Sequence, residues 1–521
     1  MKRKIQVHVG KDEIKERMVN YIPFRYILAA LITLFEVLGI IGTVVALCIF
    51  VPYFYIALAV TTFAVVVKII SSDDNPDYKI PWILFVLILP VVGLMLYFIF
   101  GSRKLKKKFV NRLDNLKKLS YRKDDSNLFN ELKNQNPLVC SYTKMLCDIS
   151  DSHLFTNTKT TYFPLGEDYY KSLLEDIKNA QRFIYLEYFI IEEGKFWNSI
   201  LEILKEKAKM GVDVRVVFDD IGCMSTLPGN YAKQLKQFGI QATPFSRLKG
   251  QADNEFNNRS HRKIAVIDGI IGYTGGVNIA DEYINEIERF GHWKDGGIRL
   301  YGQAVWEMTK LFLIDFGINV KSQIEFPQNL YPTCDIVEDG YVVPFGDGPK
   351  PLYQRRVAKT IIQNLLNTAT KYVYITTPYL IIDNDLCVSI ENAALRGIDV
   401  RIIVPHIPDK KLVFNMTKCH YKRLMDAGVK IYEYKPGFIH AKTYLADDQC
   451  AIIGTINLDY RSLVHHFENG VFIYNCNCIN DVKKDLLDTM DKSIEINPKM
   501  LKTNIFNKIF RAIVRIFAPM L

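Results

Sequence analysis

The feature that most constrains the folding of this 521-residue chain is a pattern of five residue types that occurs twice. His261-Arg262-Lys263, then Asp268, Gly275 and Asn278, recurs as His440-Ala441-Lys442, then Asp447, Gly454 and Asn457, each pair 179 positions apart. One such spacing can arise by accident in a long chain; two copies in register mark a duplicated unit. The likeness extends upstream. Phe183–Ile191 (FIYLEYFII) and Val373–Ile381 (VYITTPYLI) are short, β-branched and aromatic, and read as strands. Lys207–Val217 and Asn392–Ile402 each carry a helix end, a glycine turn at Gly211 or Gly397, and an apolar strand containing Asp213-Val214-Arg215 or Asp399-Val400-Arg401. Each motif then enters a further apolar strand, Ile264–Ile267 or Thr443–Ala446. Alternating strands and helices predict an α/β sandwich for each half. Two halves of one fold are expected to meet about a pseudo-twofold axis, with both His-Lys sets in one cleft.

Such a set is suited to phosphoryl chemistry. Lys263 and Lys442, with the amides of Asn278 and Asn457, can neutralise and hold a phosphoryl group, including charge that develops during reaction. One imidazole can attack phosphorus and split the displacement into two steps through a covalent phosphohistidine. The other can protonate the departing oxygen and then take the proton of the incoming hydroxyl. An imidazole in such a role is usually oriented by a carboxylate on its other nitrogen. Asp295 follows His261 by 34 positions and Glu468 follows His440 by 28, which makes them the expected orienting partners, each within its own half. Asp268 and Asp447 complete the repeated motif as catalytic candidates, although their place after a strand also suits bracing of loops. Gly275, Gly276 and Gly454 fit turn geometry rather than chemistry. No carboxylate cluster has metal-ligand spacing, and ten scattered cysteines without a CxxC pair indicate neither a zinc site nor a disulfide framework. The expected chemistry uses no metal.

Charge separates the ends of the chain from its middle. Residues 1–135 hold 20 basic and 11 acidic residues, and 499–521 hold five basic and no acidic ones. That leaves 41 basic and 45 acidic residues in 136–498, a net of −4 on the repeated unit. A nucleic-acid enzyme concentrates positive charge on its working domain, because phosphate neutralisation dominates that affinity. Here the surplus flanks apolar sequence instead. Ile80–Phe100 has 21 residues and no charge, enough to cross about 30 Å of hydrocarbon. Tyr26–Val67 has Glu36 as its single charge and is long enough for two spans turning near Val51-Pro52, or for one span and an interfacial piece. Five of the six residues Arg103–Lys108 are basic, while Asp73, Asp74 and Asp77 precede the Ile80–Phe100 segment and are expected on its far side. The positive-inside rule therefore predicts a multi-pass protein of the cell membrane with a cytoplasmic catalytic domain. The N-terminal flank (Lys2, Arg3, Lys4, Lys11, Lys15, Arg17, Arg25) is basic too; two crossings put both flanks inside and three do not. Near the end of the chain, Ile505, Phe506, Ile509, Phe510, Ile513, Ile516 and Phe517 recur at helical spacing, with Lys508, Arg511 and Arg515 on another face. This reads as a basic amphipathic helix suited to an anionic bilayer surface, or as a helix packed on the domain core.

The two motifs, HRKIAVIDGIIGYTGGVN and HAKTYLADDQCAIIGTINLDYRS, resemble the paired HKD motifs of the phospholipase D superfamily. The LEYFII strand, the NIADEY run after Asn278, the Phe98–Gly101 segment and the terminal Ile516–Leu521 narrow the resemblance to the bacterial cardiolipin synthases. The resemblance implies tandem phospholipase D-like halves behind N-terminal transmembrane helices. It implies transfer of a phosphatidyl group from one phosphatidylglycerol to another with loss of glycerol, without nucleotide or metal cofactor. By the family's usual assignment His261 is the nucleophile and His440 the acid/base. The sequence departs from the pattern at Thr455, where the family has Ser, and at Gly296-Gly297, where a more polar pair is usual. Hydrolysis, or phosphatidylethanolamine as one substrate, would share the same residues. Intact motifs disfavour a non-catalytic scaffold, and the net charge disfavours a nuclease. The expected layout is a membrane anchor over 1–101 (two or three spans), a basic linker over 102–140, halves over 141–330 and 331–498, and the helix over 499–521.

Overall fold

A computed structural model describes residues 24–50, 52–101, 107–119, 124–247, 257–320, 330–332, 334, 336–501 and 504–518. The basic positions at 2–17 and 103–106, Lys502, and the last three residues lie outside the described residues.

The duplication is visible in the sheets. The first half contributes β1 (Thr158–Phe163), β2 (Phe183–Tyr188), β3 (Asp213–Asp219), β4 (Gln241–Phe245), β5 (Lys263–Ile267), β6 (Ile271–Gly275) and β7 (Gly297–Gly302). The second contributes β8 (Tyr341–Asp347), β9 (Tyr372–Thr376), β10 (Leu380–Ile381), β11 (Asp399–Pro405), β12 (Lys430–Tyr434), β13 (Thr443–Ala446), β14 (Cys450–Gly454), β15 (Leu458–Asp459), β16 (Glu468–Tyr474) and β17 (Ser493–Glu495). One sheet runs β1-β7-β6-β5-β2-β3-β4; the other, read from its opposite edge, runs β8-β16-β14-β13-β9-β11-β12-β17. Pairing directions agree strand for strand: β2 and β3 are parallel, as are β9 and β11, whereas β5 and β13 are antiparallel to their neighbours. Strands β10 and β15 form a separate parallel pair.

The sheets lie face to face. Val217, Ile264, Val266, Ile298 and Leu300 from one and Ile403, Leu445, Ala451, Ile453, Val471 and Ile473 from the other share a single core. Sheets buried on both faces read as continuous apolar runs, which is why β5, β9 and β13 lack an alternating pattern. The helix Val305–Asn319 extends this core and is buried on every side up to Ile318. Its charges are paired: Glu307 with His153 and Lys310, and Asp315 with Arg262. Residues expected to form a linker are docked instead. Leu113 and Leu116 join the core between the sheets, and Leu132, Val139 and Cys140 join the core of the second half. The segment 126–150 thus belongs by packing to the second half, although it precedes the first in sequence.

The membrane end departs from the sequence reading. Helices Phe24–Phe50 and Pro52–Ile70 contain apolar stretches of 20 and 18 residues, long enough to cross a bilayer. Ile80–Phe100 does not continue as a third span. It breaks between helices Pro76–Ile88 and Pro90–Phe100, where Leu89 takes φ −127° and ψ 71° ahead of Pro90. A residue before proline is disfavoured in helical geometry, and proline is favoured at the first helical position. The arms fold back on each other: Trp82 and Tyr97 stack edge-on with ring centroids 5.5 Å apart. In a straight helix, 15 residues would separate them by about 22 Å. Asp77 therefore lies on the side of the catalytic unit, not beyond a span. It accepts from the backbone N–H of Asn384 and from the Tyr460 hydroxyl, while Asn75 donates to Asp383. Asp77 marks contact with the second half rather than the opposite face of the membrane.

Candidate active site

Each motif histidine stands just ahead of β5 or β13, and each is held by the opposite half. The backbone N–H of His261 donates to the carbonyl of Phe467, and that of His440 to the carbonyl of Lys294. These bridges bring the end of each motif beside the acid of the other repeat. His261 Nδ1 lies 3.0 Å from both carboxylate oxygens of Glu468; His440 Nδ1 lies 2.6 Å from Asp295 Oδ2. Asp295 and Glu468 each face a motif histidine, but the pairing is exchanged across the pseudo-twofold relative to the sequence expectation. Separations of 34 and 28 residues say nothing about which side of an interface an acid faces.

With Nδ1 engaged, Nε2 is the free nitrogen of each ring. His261 and His440 both line one cavity of about 400 Å³, together with Asn278, Asn457, Arg289, Lys410, Arg461 and His466. Apolar and aromatic side chains complete the wall: Phe189, Tyr379, Val413, Met416 and Phe438. Phe189 packs edge-on against His261 at 5.2 Å, and Tyr283 against His440 at 5.4 Å between ring centroids. Lys263 and Lys442 are completely buried, and each ammonium donates back to the carbonyl of its own motif histidine.

Burial governs protonation in the site. It pushes His261 down to about 3 and His440 to about 4, with the facing carboxylates opposing. It also lowers Lys263 to about 8 and Lys442 to about 7. Burial alone would raise Glu468 and Asp295; the imidazoles they face outweigh it and hold both below the ordinary carboxylate range. The pocket thus strips solvent from cations at a point where an incoming anion would stabilise them.

The two copies are not identical in detail. Glu468 also accepts from Thr455 Oγ1 and from Ser462 Oγ (2.7 Å). The position equivalent to Thr455 is Gly276, and a Cβ there would sit 2.0 Å from Asp295 Oδ1. Glycine is required by the close approach of that acid. Arg262, where the second copy has Ala441, is buried and bonded to Asp315 and to the Glu468 carbonyl, bracing the first motif alone. Asn278 accepts from the Ile190 N–H and donates to the Tyr283 hydroxyl, whereas Asn457 keeps a buried carbonyl oxygen without a partner.

Asp268 and Asp447 are corrected as catalytic candidates. They stand at the far ends of β5 and β13, each with positive φ (54° and 55°), away from the cavity. Asp268 accepts from the N–H groups of Gln181, Arg182 and Phe183, and Asp447 from those of Thr370, Lys371 and Tyr372. Their shared role is to fix the loop entering β2 or β9. One residue went unnoticed in the sequence. His466 stacks 5.4 Å from His261 and, with Glu468, offers three ligand-type atoms within 4.8 Å of one another. Both oxygens of Glu468 are already bonded to His261, Thr455 and Ser462, which marks a hydrogen-bonded network. Only the His465-His466 doublet could have flagged it.

Two equivalent halves, each presenting a carboxylate-bonded imidazole to one cavity with a buried lysine two residues further along the chain, are the architecture of a phosphatidyl-transferring enzyme class. Comparison with known proteins agrees and is more specific. A family described as "Cardiolipin synthase, PLD-like domain" matches residues 173–288 and 362–490, one segment per half, and "Phospholipase D-nuclease N-terminal" matches 57–102. The chain is 30% identical over 474 residues to a cardiolipin synthase of Halalkalibacterium halodurans, covering 90% of this chain and 94% of that one. It is 31% identical to cardiolipin synthase 2 of Bacillus anthracis, covering 89% and 90%, and 40% identical to an uncharacterized protein of Streptococcus mutans, covering 88% and 99%. The crystal structure of a phosphatidylserine synthase from Haemophilus influenzae shares the fold, with a TM-score of 0.54 at 18% identity, covering 70% of this chain and 94% of that one. The chain belongs to the cardiolipin synthase family of the phospholipase D superfamily.

Proposed function

We propose that this protein transfers a phosphatidyl group from one phosphatidylglycerol to another, releasing glycerol and forming cardiolipin. The observation that carries this reading is the crossed pairing of His261 with Glu468 and His440 with Asp295 on the wall of one cavity. His261 Nε2, with its proton held on Nδ1 by Glu468, attacks phosphorus. The N–P bond forms as the P–O bond to glycerol breaks, and His440, made an imidazolium by uptake of a proton as the phosphodiester anion enters beside it, gives its Nε2 proton to the departing oxygen. The second phosphatidylglycerol then loses its hydroxyl proton to His440 as its oxygen attacks phosphorus and His261 departs. Asp295 stabilises the His440 imidazolium in both steps. Lys263 and Lys442 set the field around the phosphoryl oxygens, while Asn278 and Asn457 border the site as substrate-binding residues.

The apolar and aromatic wall suits glycerolipid, and Arg289, Lys410 and Arg461 suit its phosphate. Anionic membrane lipid is the proposed partner, and nucleic acid is not. The protein is placed in the cell membrane as a multi-pass protein with its catalytic unit in the cytoplasm. Two spans supported by a hairpin that does not cross would leave both basic flanks on one face, in keeping with that orientation. Purified protein incubated with labelled phosphatidylglycerol tests the reading: cardiolipin and glycerol are expected, whereas phosphatidic acid alone would make the enzyme a hydrolase. A product that needs added phosphatidylethanolamine would reassign one substrate.

A further inference from the structure

We propose that the C-terminal helix lies in the surface of the same bilayer leaflet as the tip of the folded-back hairpin, with its apolar face in lipid, so that the catalytic cavity opens beside the membrane. The packing leaves the apolar face of this helix free. In Ile505–Phe517, Phe506 is 78% exposed and Ile505, Ile509, Phe510, Ile513 and Ile516 are exposed with it. The opposite side is seated on the protein. Val514 packs against the core of the second half, Ala518 is within that core, and Cys419 of helix Lys411–Asp426 donates to the Arg511 carbonyl.

Continuity with the spanning helices identifies lipid as what covers this face. Pro52–Ile70 packs against the hairpin through Val65, Ile69, Val86 and Leu94. The hairpin in turn meets the C-terminal helix, with the rings of Phe85 and Phe517 at 5.9 Å. Its bend exposes Leu87, Ile88 and Leu89, three consecutive apolar residues beside a break that leaves backbone groups to be satisfied near the interface. An amphipathic helix with such residues on its free face partitions into the headgroup–acyl boundary. The helix also ends at the site: Ala518 lines the cavity that holds His261 and His440. A lipid leaving the leaflet beside this helix would reach the imidazoles without its acyl chains crossing water.

The inference rests on the membrane placement proposed above, and its test does not require turnover. The full chain is reconstituted in phosphatidylglycerol/phosphatidylethanolamine vesicles with a trace of phospholipid carrying a diazirine on its acyl chain, irradiated, digested and mapped by mass spectrometry. Adducts are expected on Ile505–Ile516 and Leu87–Leu89 as well as on the two long helices, about tenfold above those on the exposed face of helix Lys195–Lys209. Adducts confined to the two long helices overturn the proposal, whether the tail faces water or a second copy covers it. In a second arm, Phe506→Ser with Phe510→Ser should lower tail adducts and reduce about tenfold the ratio of turnover on vesicle lipid to turnover on monomeric short-chain phosphatidylglycerol. An equal loss on both substrates overturns the proposal in favour of a folding role. Tail adducts without turnover of either lipid would retain the docking surface and discard the proposed reaction.

Discussion

Asp295→Asn should damage the histidine of the other half, and the damage can be localised to one chemical step. The substitution removes a buried negative charge 2.6 Å from His440 Nδ1 and leaves His261 with Glu468. A buried hydrogen bond to a charged group is worth about 1.5–3 kcal/mol, or roughly ten- to a hundredfold in rate. The amide can also present N–H to Nδ1 and select the wrong tautomer; the same change behind another catalytic imidazole costs about 10⁴-fold. The expected loss therefore spans about 10 to 10⁴ on phosphatidylglycerol. Because His440 is proposed to protonate the leaving oxygen, a p-nitrophenyl phosphodiester, whose leaving group needs no proton, should restore the first-turnover burst in Asp295→Asn. It should not do so in Glu468→Gln, where the nucleophile is the impaired partner. The assay is rapid-mixing release of nitrophenolate against steady-state cardiolipin formation. Rescue of Glu468→Gln but not of Asp295→Asn would refute either the crossed pairing or the assignment of roles.

Three further outcomes follow from the geometry. Asp268→Asn and Asp447→Asn should lower the melting temperature, each weakening about 1 kcal/mol of largely exposed backbone bonding, with kcat within about threefold of the parent; a kcat loss above a hundredfold without unfolding would return them to the chemistry. Gly276→Ala should cut turnover by at least about tenfold, because its Cβ would displace the Asp295 carboxylate, while a wild-type rate would show that the acid has room to move. Acid should destabilise the protein: His261, His440 and the buried His420 are held at about 3, 4 and 3, so the unfolded chain binds protons that the folded chain refuses as pH falls below 6.5. Each histidine then costs about 2 kcal/mol by pH 5, and a melting temperature unchanged between pH 7 and pH 5 in detergent would contradict the burial of these rings.

The sequence was most informative where function and strand register coincide. The 179-residue offset carries β6 onto β14 residue for residue, because a two-residue pleat tolerates no slip when both faces are buried. The histidines and lysines were legible for the same reason. The partners of the histidines were only half legible: Asp295 and Glu468 stood out, but the fold decides that each crosses the interface. Asp268 and Asp447 look catalytic in a linear motif, yet five residues of extended strand carry a side chain to the other end of the sheet. Ile80–Phe100 has the composition of a span, and composition does not reveal that Leu89-Pro90 folds it in two. Arg262 and His466 were illegible because nothing local distinguishes a brace or a third imidazole from an ordinary surface residue.

The exchange of acids has a consequence for the chain as a whole. Either repeat on its own would hold a histidine with no anion behind it and an anion with no histidine before it. Competence arises only when both have folded and met, so a lesion that loosens one repeat silences the other, and two separately expressed repeats would gain activity only on association. A single-repeat forerunner of such a site would have worked only as a symmetric pair, each copy lending its acid to its twin.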